Sequence, residues 1–81
     1  MTMTDETTYE DYELRSKART FEEQIHPKTW KKMSREEQDH LVIAKAAAAR
    51  GTAEAYIQTG MAPCMAWPRA IREEILERNS D

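Results

Sequence analysis

"AKAAAARGTAEAYIQTG", residues 44–60, decides how this chain is read, with seven alanines and two glycines in seventeen residues. Such a run is a flexible linker, the turn of a DNA-reading helix-turn-helix, or one helix whose small side chains let another helix come close. A linker is polar and aperiodic. Here Leu41, Ala44, Ala48, Gly51 (or Thr52), Ala55 and Thr59 keep a three-to-four spacing through the glycine, the period of one helix face. The linker reading falls.

The helix-turn-helix reading has partial support. Ala47, Gly51 four residues later and Ile57 six further on match the spacing of that motif. The flanks do not, because Arg50 and Thr52 stand beside the glycine where apolar packing residues are needed. The would-be recognition helix, "TAEAYIQTG", has no lysine or arginine and carries Glu54. A helix in the major groove meets phosphate on both sides and contributes basic or amide side chains; only Gln58 qualifies. Specific duplex DNA binding is not expected.

The steric reading remains. A continuous or gently kinked helix over about 35–59 presents Ala44, Ala48, Gly51 and Ala55 as a helix-packing face, allowing axes to approach the lower end of the usual ~8–10 Å. The rival makes Gly51 the end of one helix and Thr52 the cap of the next. Gly51 costs ~1 kcal/mol relative to alanine in a helix interior, which close packing must offset. The neighbour is the first helix or a second copy of the chain. On this expectation Ala48→Leu overpacks.

Outside this stretch the signals are also helical. "TTYE" at Thr7–Glu10 reads as a capping box, and Leu14, Ala18, Phe21 and Ile25 follow at spacings of 4, 3 and 4, predicting a helix over about 8–25. Pro27 stops it, since the residue before a proline is pushed out of the α region. "HPKTWKKMS" reads as a short helical turn with Trp30 and Met33 on one side, and "SREE" as a second capping box of Ser34 with Glu37. Gly60 and Pro63 end the long helix, "MAPCMAWP" reads as an apolar connector, and Pro68 opens a last helix over about 68–78. Its expected buried side is Trp67, Ile71, Ile75 and Leu76, and both tryptophans are expected in the core. No strand pattern occurs. The fold class is therefore all-α: a small bundle of three main helices plus a short helical turn, completed by homodimerisation. Residues 7–81 form its single domain, and residues 1–6 a disordered N-terminus.

Eighty-one residues with one cysteine, Cys64, form no internal disulfide, which suits a reducing compartment. A chain this short buries only ~60% of its unfolded surface. The apolar runs Leu41–Ala44 and Ala46–Ala49 fall far short of the ~20 residues of a membrane span. A cytoplasmic protein is expected. The net charge of −3 hides a division: residues 1–14 carry −5, residues 15–50 carry +4 and residues 51–81 carry −2. That balance argues against general attraction to nucleic acid and suggests self-complementarity or a basic partner surface.

Reaction chemistry is thinly represented. Glu37 and His40 have the E-x-x-H spacing of carboxylate-bridged metal bundles, but only one such pair exists and Glu37 belongs to the capping box. Met61, Cys64 and Met65 are soft ligands within five residues, more readily explained as core filling beside Trp67. Cys64 as a nucleophile needs a base, and His26 and His40 are the two candidates. No enzyme, metal or cofactor is expected. Two charged surfaces remain: an acidic face of Asp5, Glu6, Tyr9, Glu10, Tyr12 and Glu13, and a basic patch of Lys28, Lys31, Lys32 and Arg35. Together they predict a small non-enzymatic interaction protein. Its acidic N-terminal helix would bind and modulate, by inhibition, a larger protein with a basic or nucleic-acid-binding surface. The alternative is a helix-turn-helix-like, nucleic-acid-associated regulator using residues 28–35. In size and composition the chain is similar to small accessory proteins of phages and other mobile elements, a likeness that covers no particular residues.

Overall fold

The computed structural model describes residues 6–76. Four helices follow one another: α1 (Asp11–Ile25), α2 (Pro27–Lys32), α3 (Arg35–Gln58) and α4 (Pro63–Ile71), which runs on into a π turn over Arg72–Leu76. No strand occurs among the described residues, and no helix there is long and apolar enough to cross a membrane. The architecture is the expected one of three main helices and a short helical turn. α3 is the spine: α1 packs on it, α4 and its π turn pack on it as well, and α1 also meets the π turn.

α3 forms where its caps dictate. The Ser34 hydroxyl accepts the Glu37 N–H at 3.1 Å, while the Glu37 carboxylate accepts the Ser34 N–H at 2.8 Å, so two otherwise unpaired donors are satisfied reciprocally. The helix passes through Gly51 without a break. Its stop is Gly60, whose φ of +105° suits a residue without a side chain. There Gly60 N–H donates to the Ile57 carbonyl and Met61 N–H to the Tyr56 carbonyl, each at 3.0 Å. The glycine that ends the helix is Gly60.

The packing face differs from the expected one. Val42, Ala46, Ala49 and Ala53 are buried, whereas Ala44, Ala48, Gly51 and Ala55 are exposed. A Cβ added at Gly51 would meet nothing within 4 Å. The first helix therefore does not cover that face. Alanine occurs on every side of α3 and loses little by facing water, so it does not choose the face. Val42 chooses it, together with Lys45 and Arg50, whose charged ends reach acids on α1.

α1 starts later than expected. Residues 6–10 lead in without helix, and Glu10 rather than Thr7 is the cap, its N–H donated to the Glu13 carboxylate at 2.8 Å. The buried row is Leu14, Ala18 and Glu22, while Phe21 is half-buried and Ile25 exposed. Glu22 holds its interior place because the Lys45 ammonium pairs with it, and Lys45 also donates to the Ile75 carbonyl at 3.3 Å. α4 starts earlier than expected, at Pro63, because a proline at the first position gives up only an N–H that has no partner there. Pro68 lies inside this helix rather than opening it. Trp67, Ile71 and Ile75 are buried as expected, while Leu76 is exposed; residues 77 and 78 of the expected helix lie outside the described residues.

Both tryptophans are in the core. Trp30 sits beneath the Arg19 guanidinium, 5.5 Å from its ring centroid, and Trp67 lies under Arg50 at 5.4 Å and against the Tyr9 ring at 5.6 Å. With so few large side chains, the two rings fill what the alanines of α3 leave open. Enlarging α3 is therefore expected to give opposite results on its two sides. Ala49→Leu, at a position with no exposed area, should overpack by ~1–3 kcal/mol. Ala48→Leu, on the open side, should stay within about 0.5 kcal/mol of wild type. Urea melts of the two variants at one low protein concentration check the assignment of the faces.

Candidate functional site

Most polar side chains near the core serve as braces between helices. Arg50 donates to the Asp11 carboxylate at 2.9 Å and to the Tyr9 carbonyl at 2.8 Å, tying the lead-in and the start of α1 to α3. Arg19 pairs with Asp39 at 2.8 Å, the Thr52 hydroxyl donates to Glu74 at 2.9 Å, and Tyr56 donates to Glu73. Among the described residues, no buried side-chain nitrogen or oxygen lacks a hydrogen-bond partner. Arg50, the one arginine of the alanine run, is a clamp. With α3 unbroken at Gly51, the turn that a helix-turn-helix needs is missing as well.

The acidic face does not assemble as expected. Asp5 lies outside the described residues. Glu6, Tyr9 and Glu10 precede α1, so they do not share a helical face with Tyr12 and Glu13. Tyr9 packs on Trp67 under the Lys17 ammonium, and Glu13 spends one carboxylate oxygen on its cap. What remains at this end are exposed Glu6, Glu10 and Tyr12, the tyrosine being 71% exposed. The basic patch is intact as a surface: Lys28, Lys31, Lys32 and Arg35 are all exposed, and among the described residues only Arg35 pairs with an acid, Asp39 at 4.0 Å.

The other constellations do not converge. Glu37 and His40 are both exposed at the start of α3. Met61 and Met65 line a surface pocket with Pro68, Arg69 and Arg72, a cationic rim unsuited to a metal ion, and Cys64 is not part of that lining. Among the described residues no three His, Cys, Asp or Glu side chains gather as a metal site.

The surface that stands out is the outward face of α3. Between His40 and Glu54 it presents Ile43, Ala44, Ala47, Ala48 and Gly51, all exposed and none charged. Ile43 leaves 43% of its area in water. Asp11 and Arg15 of α1 border this face beside Ile43 and Ala47. Ala44, Ala48 and Gly51 were legible in the sequence as a packing face, and they are one that the chain's own helices leave uncovered. Ile43 and Ala47 are additional. The signal for them is the gap in charge between His40 and Glu54 on one side of a helix otherwise rich in charge.

Comparison with family models, with curated proteins and with solved structures returned no match.

Where α3 meets the last helix, the electrostatics make a testable claim. The Glu73 carboxylate accepts from the Tyr56 hydroxyl and from Arg69 Nε at 3.1 Å. These two donors hold its pKa below the ordinary carboxylate value, the tyrosine bond being the larger cause. The Tyr56 hydroxyl is pushed up in turn, first because it donates a hydrogen bond to Glu73 and then by burial. A carboxyl group whose folded pKa is lowered contributes stability that is fully present above its unfolded value, about 4.3, and lost as pH falls through the folded one. Thermal melts should therefore drop in midpoint as the pH is lowered from about 4.3. Glu73→Gln should start less stable at neutral pH and show a shallower acid dependence; identical slopes would mean that the bonds to Glu73 do not couple to folding.

Proposed function

We propose that this protein is a non-enzymatic interaction protein that binds a larger protein and modulates it, using the outward face of α3 as its docking surface. The observation that carries this reading is an exposed side of α3 with no charge between His40 and Glu54, Lys45 and Arg50 being turned to acids of α1, in a chain where a third of residues are charged. A solvated helix face is ordinarily polar or charged, while apolar positions point into a core. α3 has apolar or small residues on both sides, and only one side is covered. Side chains no larger than a methyl, with Ile43 as an anchor, suit the docking of a partner helix at an axis distance near ~8 Å. The acidic residues ahead of α1 and the cations of α2 supply charge that steers the encounter with a charged partner. Modulation takes the form of inhibition, because a rigid helical face acts by occluding what it covers.

A second reading rests on a separate observation: Lys28, Lys31 and Lys32 stand exposed along one short helix with no ion pair among the described residues. Such a cluster suits phosphate as well as an acidic protein surface.

Affinity capture from extract of the source cells separates the two. Wild-type protein and the Lys31→Glu/Lys32→Glu variant are expected to retain the same stoichiometric protein. Ala48→Glu should lose it by tenfold or more, about 1.4 kcal/mol, while melting within about 0.5 kcal/mol of wild type because the position is open to solvent. Retention by Ala48→Glu together with nuclease-sensitive loss by the lysine variant would replace the first reading with the second.

A further inference from the structure

We infer that the free protein covers this face with a second copy of itself, as an antiparallel α3–α3 dimer centred on Ala47. The inference rests on the reading of that face as a docking surface and names its occupant. Along the middle of the outward face lie Glu36, His40, Ile43, Ala47, Gly51, Glu54 and Gln58, every one exposed. Their spacings are 4, 3, 4, 4, 3 and 4, a series that reads the same in both directions about Ala47.

A two-fold dimer uses one patch twice, so whenever residue i meets residue j, j also meets i. With two α3 helices antiparallel about Ala47, Ala47 meets its own copy and Ile43 meets Gly51. His40 then meets Glu54, and Glu36 meets Gln58. Each pairing is complementary. Ile43, the largest exposed apolar side chain of the face, lies over the residue with no side chain, where a Cβ would find nothing within 4 Å. The imidazole faces a carboxylate, and a carboxylate faces an amide that can donate to it. A parallel arrangement would instead set Glu36 against Glu36, Glu54 against Glu54 and Ile43 against Ile43. Repulsion and poor fit select the antiparallel one. The register follows from centring the uncharged segment, and the charge pairing comes with it. A larger partner that docks a helix on this face competes with the second copy, so the dimer is the form in which the interface is stored.

Sedimentation equilibrium and disulfide trapping test this. Wild type is expected to dimerise. In a Cys64→Ser background, Ala47→Cys should cross-link to its own copy under mild oxidation, because helices packed through small residues bring that pair within disulfide reach. Lys28→Cys, away from the face, should not. Glu54→Lys should weaken the dimer by tenfold or more, and the exchange His40→Glu/Glu54→His should restore it. Thermal melts at low concentration confirm that each variant is folded. A monomer at every concentration overturns the inference, as does a dimer indifferent to position 54 with no Ala47→Cys cross-link. In either case Ala48-dependent capture of a larger protein can persist, leaving the docking reading intact. A dimer of the stated register in a protein whose capture ignores Ala48→Glu would leave this inference standing and remove the proposed function.

Discussion

Arg50 is the contact on which three segments depend. From the middle of α3 its guanidinium lies over Trp67 of α4, donates to Asp11 at the start of α1 and takes the Tyr9 carbonyl of the lead-in. The ion pair itself is weak, because the Asp11 side chain is 62% exposed and exposed pairs contribute about 1 kcal/mol at most. The planar fork matters for position. It lies flat on an indole while its N–H groups point outward in fixed directions, a geometry that a flexible ammonium does not hold as rigidly. Tyr9 also packs against Trp67, its ring tilted at 45° to the indole. A core of alanines needs such ties, because small side chains bury little area each and leave the orientation of neighbouring helices weakly determined.

Lys45 has the same role one turn and a half earlier on α3. It neutralises the buried Glu22 of α1 and satisfies the carbonyl of Ile75 where the last helix runs out. Helix ends leave carbonyls without intrahelical partners, and a lysine from the spine supplies one. A buried pair of this kind adds little net stability, yet losing either partner is costly because the other stays in the interior as an unpaired charge. Arg50 and Lys45 set how α1 and the last helix sit on α3, and the alanines between them allow the close approach.

Much of the fold was legible because its strongest signals are local. The Ser34–Glu37 box, the proline stop before α2, the unbroken α3 and the burial of Trp30 and Trp67 all follow from neighbouring residues. The face of α3 was not legible, for a physical reason: seven alanines in the run give a helical period without saying which side is inside. The deciding residues were charged. Leu14, Ala18 and Glu22 are spaced by four, a buried row that an apolar pattern misses because its third member is a glutamate. The start of α4 was missed because Pro63 and Pro68 both suit a first helical position, and only packing of Ala66 and Trp67 beneath α3 decides for Pro63. The candidate surface was half legible. Its small residues were visible, while its openness is a property of the assembled bundle.

The charge division of the chain takes on a further meaning once α3 is paired with its own copy. α3 ends with no basic residue in its last turn, so the partial negative charge of that end is uncompensated within the chain. Its beginning follows directly on α2, whose last turn holds Lys31 and Lys32, with Arg35 next in line. Antiparallel pairing about Ala47 brings the α2 end of one copy beside the Gly60 end of the other, twice. In the proposed dimer Lys31 and Lys32, which make no ion pair among the described residues, then lie near the carbonyl ends of the partner's helix, where positive charge is favoured. Steric fit at the centre and dipole matching at the ends select the same relative direction of the two helices. An arrangement that satisfied only one of them would leave either Ile43 without a hole or the α2 lysines beside another helix beginning.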